Sequence, residues 1–125
     1  MASTARVFST AEIANRWYRW AAGGKLALCN AQAWRKRFES SGYGGVRARR
    51  FRQSFKPSCF DCPAFTASSW AIEVAGSKSG SESELYEDLV IVRSDRIVLT
   101  FIFEQFVYRF FDAEGTVEQV LERIP

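Results

Sequence analysis

The chain contains no histidine. Its absence excludes Ser-His-Asp and Cys-His catalysis and removes the commonest metal ligand. Cysteine is scarce and odd in number, with only Cys29, Cys59 and Cys62. A secreted disulfide framework normally shows an even count, and zinc normally takes four ligands. Reduced thiols are therefore the plainer reading, and neither a metal nor a cofactor is expected. Cys59 and Cys62 have the C-x-x-C spacing, but Pro63 follows them with no helical pattern behind it, unlike a thioredoxin-type motif. Long hydrophobic runs are missing too. The longest, Ile97 to Phe103, is interrupted by Thr100, whereas a membrane-spanning helix needs about 20 apolar residues. No charged segment leading into an apolar one follows Met1. The expectation is thus an intracellular, cytoplasmic protein without a membrane span, with organellar import left open by an Arg-rich, acid-poor N-terminal region.

What the sequence does have is apolar bulk. Hydrophobic residues make up 47% and aromatic residues 15% of 125 residues, enough for one domain with a real core and too much for a disordered chain. The charge is unevenly spread. Residues 1–60 hold 12 Lys/Arg against only Glu12 and Glu39, and residues 61–125 hold 5 against 12 Asp/Glu. A basic half invites a polyanion or an acidic partner, and an acidic half can neutralise it within the fold.

Residues 9–22 read as a helix, with Ser9 or Thr10 as cap and Ile13, Trp17, Trp20 and Ala21 on one face. Gly23-Gly24 ends it. Residues 25–39 suggest a second helix through Leu28, Ala31, Trp34 and Phe38. Residues 46–56 read as a basic strand or extended arm. Trp70, Ile72 and Val74 alternate with polar or small residues as a half-buried strand does. Leu85–Val92 and Phe106–Phe111 continue the sheet pattern, and Ile97–Phe103, apolar on both sides, predicts a strand covered on each face. Val117, Val120, Leu121 and Ile124 have helical spacing, though a strand closing a hairpin is the other reading. The expected architecture is one α+β domain over residues 1–125, with N-terminal helices packed on a curved, mostly antiparallel β-sheet. Residues 1–8 are expected to be disordered, and 40–45 and 76–83 to be flexible loops. Trp17, Trp20, Ile97, Leu99 and Phe101 are the expected core.

Three groups of residues could carry function. The basic cluster Arg35, Lys36, Arg37, Arg47, Arg49, Arg50, Arg52 and Lys56 is interleaved with Phe38, Tyr43, Phe51 and Phe55. Such a set can neutralise phosphates while rings stack on bases, or it can dock on acidic protein surface. Glu104 lies in the most apolar part of the chain. A carboxylate there can have a raised pKa and act as a base, or pair with a cation such as Arg109. If the sheet curves around a cavity, Trp17, Trp20, Phe101, Phe103, Glu104 and Tyr108 are the candidate pocket residues.

Two stretches resemble the nuclear-transport-factor-2-like superfamily, which includes SnoaL-type cyclases and ketosteroid isomerases. TAEIANRWYRWAAGGKLALCN (Thr10 to Asn30) is similar to its opening helix and following turn. FEQFVYRFFDAEGTVEQVLERI (Phe103 to Ile124) is similar to its closing hairpin. The resemblance implies a cone-like sheet enclosing an aromatic pocket, and no catalytic residue is carried over from it. CPAFTA (Cys62 to Ala67) with DLVIVRSDRIVLTF (Asp88 to Phe101) also resembles extracellular sensor or lipoprotein domains of actinobacterial type. With no recognisable catalytic set, the leading expectation is a non-catalytic binding or interaction module, favouring a protein partner or self-association. A small-molecule cyclase or isomerase, and nucleic-acid binding through residues 35–56, are the alternatives.

Overall fold

In the computed structural model, which describes residues 2–54 and 65–106 together with Val117 and residues 120–122, Thr10 starts the first helix. Its side-chain oxygen accepts from the Ile13 backbone N–H at 3.2 Å, and Glu12 sits in the first turn. An N-cap of this kind satisfies a donor that the helix leaves open, and the acid complements the helix dipole. Helix α1 (Ala11–Ala22) ends at Gly23, and α2 (Lys25–Ser40) begins directly after Gly24. Before them lies strand β1 (Ala2–Val7). After them come β2 (Gly44–Gln53), β3 (Thr66–Lys78), β4 (Ser81–Ser94) and β5 (Ile97–Phe106).

The five strands form one sheet in the order β1-β5-β4-β3-β2, antiparallel at every pairing. The sheet is open: β1 and β2 are its two edges. Both helices pack on one side, which is the α+β arrangement expected from the sequence. Strand side chains alternate between the faces. Leu85, Leu89 and Ile91 point to the helices with Ile72, Val74 and Val98. Val90, Val92, Phe101 and Phe103 point the other way, where Val117 and Leu121 of a helical turn cover them. This is why β5 and the central strand β4 are apolar at successive positions. The helices meet the sheet largely through Ala14, Ala21, Ala27 and Ala31, and short side chains let backbones approach closely.

Several expectations are corrected. Residues 2–8 are not loose: β1 pairs with β5 from Ala2↔Ile102 to Val7↔Ile97, and the Phe8 N–H donates to the Arg96 carbonyl at 2.9 Å. The segment is exposed on both sides, so it carries no alternation to read and its order rests on backbone pairing. Residues 76–83 are not a long loop either. Strands β3 and β4 run on to Lys78 and Ser81, joined by Ser79 and Gly80 at φ of 53° and 81°. Two left-handed residues are what a tight hairpin requires, and the flanking residues are polar because this end of the hairpin is exposed. Within 40–45 only Ser41 and Gly42 turn before β2 begins. The buried face of α1 is Ala14, Tyr18, Ala21 and Ala22, while Ile13 and Trp20 remain 40% and 39% exposed. The stripe is therefore rotated by one position from the one that large side chains suggested. Ile97, at the rim beside β1, is exposed rather than core, Leu99 is half-buried and Phe101 is buried. The leading part of the C-terminal resemblance falls on β5, but residues 107–116, including Tyr108, lie outside the described residues.

Leu89 is fully buried between the helices and the sheet. Leu89→Ala is expected to lower stability by about 2–5 kcal/mol in urea denaturation, whereas Val7→Ala, at 70% exposure, should stay within about 0.5 kcal/mol. Gly24 has φ of +96°, and an added Cβ would lie 2.5 Å from Arg50 Nη1 and 2.8 Å from the Trp70 ring. Backbone strain of this kind costs about 1–3 kcal/mol, so Gly24→Ala is expected to shift the same transition by at least that amount. An unchanged midpoint would mean that the helix corner relaxes freely.

Candidate ligand-binding site

The central buried acid of the molecule is Glu87, which is 2% exposed and lies on β4 among Leu85, Leu89 and Ile91. Period-two alternation aims it at α2. There Asn30 and Trp34, four residues apart and hence on one helix face, both reach it. Asn30 Nδ2 donates to Glu87 Oε1 at 2.8 Å and Trp34 Nε1 donates to Oε2 at 2.6 Å. Glu104 is the cross-strand partner of Glu87 on β5. Arg37, one turn beyond Trp34, holds its guanidinium 4.8 Å from the centre of the Trp34 ring. These groups surround a pocket of about 180 Å³ between α2 and the sheet, lined from the helix by Asn30, Trp34 and Arg37 and from the strands by Glu87, Ile102 and Glu104.

Burial pushes the Glu87 carboxyl above its ordinary value of 4.5; the Asn30 and Trp34 hydrogen bonds pull it back, the Glu104 charge pushes it further up, and Arg37 pulls it down. The net direction is upward. Each oxygen accepts one hydrogen bond in the helix contact just described, and a carboxylate oxygen can accept a second. The site can therefore take a hydrogen-bond donor or a cation, and its acid can hold or release a proton in a less polar setting than water.

Of the candidate pocket residues among the described residues, only Glu104 lines this cavity. Trp17 and Trp20 lie on α1, where Phe8, Trp17 and Trp20 form a ring series with centroids 6.3 Å and 6.0 Å apart and Arg6 lies 5.1 Å from the Trp17 ring centre. Phe101 and Phe103 are on the opposite face of the sheet. The sheet thus separates the two aromatic groups that one enclosed pocket would have joined. Glu87 was not singled out from the sequence. The available signal was its place at the inward phase of Leu85-Glu87-Leu89-Ile91, where an apolar side chain is normal.

The basic cluster is divided. Arg35 pairs with Glu39 at 3.1 Å within α2. On one face of β2, Arg47 pairs with Glu82 at 2.8 Å and Arg49 pairs with Glu73. On the other face, Arg50 donates to the Gly24 carbonyl, and Arg52 Nη2 donates to the Ala22 carbonyl at 2.9 Å. Trp70 Nε1 reaches the same Ala22 oxygen at 2.9 Å, with both guanidiniums near its ring. Lys36 and Arg37 line a separate groove at the end of α2. Lys56, Cys59 and Cys62 lie outside the described residues, and Cys29 is exposed on α2. Among the described residues no set of three or more Cys, Asp or Glu is grouped to hold a metal, and no helix is long and apolar enough to cross a membrane.

No protein-family model, curated protein or solved structure matches this chain.

The raised Glu87 pKa has a definite consequence for stability. An acid that holds its proton longer when folded gives the folded state more bound protons between its unfolded and folded pKa values, so its contribution falls as pH rises through that window. The window opens near 4.5 and extends upward. Urea midpoints of wild type and Glu87→Gln, followed from about pH 4 to about pH 8, should diverge, with wild type losing ground relative to the variant as pH rises. Parallel profiles would mean that the carboxylate is solvated like an exposed one.

Proposed function

We propose that the protein is a non-catalytic binding module that seats a small ligand between α2 and the sheet, with Glu87 receiving a positively charged, hydrogen-bond-donating group. The observation that carries this reading is the buried Glu87 carboxylate at the cavity floor, oriented by Asn30 and Trp34 and faced by a second acid, Glu104. Two neighbouring acids favour a cation, and an indole face adds attraction for one. Arg37 already stacks on Trp34, so this ring accepts a cationic neighbour. The sequence resemblance to the nuclear-transport-factor-2-like superfamily is in keeping with a small-ligand reading but supplies none of the site residues. Nucleic-acid binding through residues 35–56 draws less support, because Arg47, Arg49, Arg50 and Arg52 are engaged with carboxylates and carbonyls on two opposite faces.

The test is calorimetric titration with a series of small primary and quaternary amines against wild type, Glu87→Gln and Glu104→Gln, with thermal unfolding as the check on folding. Loss of one charged hydrogen bond should weaken binding by about tenfold or more in Glu87→Gln, with a smaller loss in Glu104→Gln. Absence of amine binding to wild type, or equal binding to all three, rejects the reading. The elevated Glu87 pKa favours a second reading, a cyclase- or isomerase-type enzyme with Glu87 as proton acceptor. Exchange of α-protons of small ketones with solvent deuterium, present in wild type and lost in Glu87→Gln, would establish that reading instead.

A further inference from the structure

A larger groove, about 620 Å³, lies where the last turn of α2 meets the tip of the β3–β4 hairpin. It is within the usual range for small-molecule sites. Its charged lining is all of one sign: Lys36 and Arg37 from the helix and Lys78 from the end of β3. The other arginines of residues 35–52 are engaged with Glu39, Glu82, Glu73 or the helix-corner carbonyls. Among the described residues, neither Lys36, Arg37 nor Lys78 pairs with a carboxylate. The charges are placed over aromatic surface. Lys78 Nζ is 5.7 Å from the Tyr43 ring centre, the Tyr43 and Phe38 rings are 5.0 Å apart, and Arg37 stands over Trp34. Ser83 Oγ donates to the Tyr43 hydroxyl at 3.4 Å, which holds the hairpin tip against that ring.

One effect opposes an anion here. The C-terminal end of a helix carries roughly half a negative charge. Its exposed carbonyls are partly answered already, since Lys78 Nζ donates to the Ser41 carbonyl at 2.6 Å. Three full positive charges with no acid in the lining outweigh about half a charge of the other sign.

We propose that this groove is a second binding site, separate from the Glu87 pocket, for a small organic anion: a carboxylate or phosphate head on a flat apolar body. Lys36, Arg37 and Lys78 take the head, and the Phe38–Tyr43 surface takes the body. The site does not depend on the amine reading of Glu87. Arg37 and Trp34 border both cavities, so Lys36 and Lys78 are the residues that distinguish them.

The experiment titrates the full chain with benzoate, phenyl phosphate, inorganic phosphate and neutral benzyl alcohol, at low and physiological salt. The variants are Lys36→Gln, Lys78→Gln and their combination. Lys25→Gln, an exposed change at the far end of α2, removes the same charge away from the groove. The expected result is binding of phenyl phosphate or benzoate that tightens at low salt and exceeds that of benzyl alcohol. It should fall about tenfold or more in the double variant and stay unchanged in Lys25→Gln. The arm that binds more tightly tells phosphate from carboxylate. Lys36→Gln removes a side chain with no ion pair in the fold, so its partial loss is readable even if the double variant unfolds. Equal binding of benzyl alcohol, binding untouched by the lysine changes, or no binding of either aromatic anion overturns the proposal. So does a single-stranded oligonucleotide that binds wild type more tightly than both anions and is lost in the same variants.

Discussion

The helix pair is held to the sheet by a corner of backbone carbonyls gripped from below. The Ala22 and Gly24 oxygens sit where α1 ends and α2 begins, and Arg52, Trp70 and Arg50 reach up from β2 and β3 to take them. The Ala22 carbonyl, at the C-terminal end of α1, is of the kind that lacks an intrahelical partner, so Arg52 and Trp70 satisfy a group that burial would otherwise penalise; the Gly24 carbonyl already accepts the Leu28 N–H at 2.9 Å, and Arg50 adds a second donor to it. The contact also decides direction. With the corner fixed, and no side chain on Gly24 to obstruct Arg50 and Trp70, α2 lies over β2 and β3. That path brings Asn30 and Trp34 over Glu87, which forms the second polar anchor. Both cavities lie along α2, so their geometry descends from these two attachments.

The opposed charges of the two halves find part of their answer inside the fold. Arg47 and Arg49 come from the basic half, and Glu82 and Glu73 from the acidic half. The pairing of β2 with β3, and of β3 with β4, places them on one face of the sheet. Exposed pairs such as Arg47–Glu82 add little to stability, about 0–1 kcal/mol each. Their effect is on what remains. Once these arginines are paired, and Arg50 and Arg52 are turned to the opposite face, Lys36 and Arg37 are the cations of the segment that form no ion pair or carbonyl contact among the described residues. Lys78 joins them from a distant part of the sequence. Strand alternation therefore sends Arg47 and Arg49 to acids on one face of the sheet and Arg50 and Arg52 to the helix corner on the other, while Lys36 and Arg37 line the groove from α2.

The two faces of the sheet also explain why the aromatic residues do not form one cavity. Phe101 and Phe103 fill the side covered by Val117 and Leu121. Trp17 and Trp20 ride on α1, with Trp20 39% exposed. The larger residues of α1 point partly outward because Ala14, Tyr18 and Ala21 already fill the narrow space under the helix. A rule that the largest side chains lie deepest fails where close approach of backbone favours alanine.

Much of the secondary structure was legible. Thr10, Gly23-Gly24 and the period-two runs around Ile72 and Leu89 are local signals of caps and half-buried strands, and the two-sided apolar pattern of Leu99, Phe101 and Phe103 with Val98 and Ile102 announced a strand covered on both faces. These are properties of neighbouring residues, and a sequence states them directly. The alanine face of α1, the ordering of β1 along β5, and the meeting of Asn30 and Trp34 with Glu87, 57 and 53 positions away, depend on partners distant in sequence. The inward phase of Glu87 was present in the strand alternation but was not read from it, and only the docking of α2 supplied its two hydrogen-bond donors. Likewise the sequence determined that this chain is basic in one half and acidic in the other. Tertiary pairing decided which charges are neutralised and which remain, because electrostatic partners are set by distance in space rather than by order along the chain.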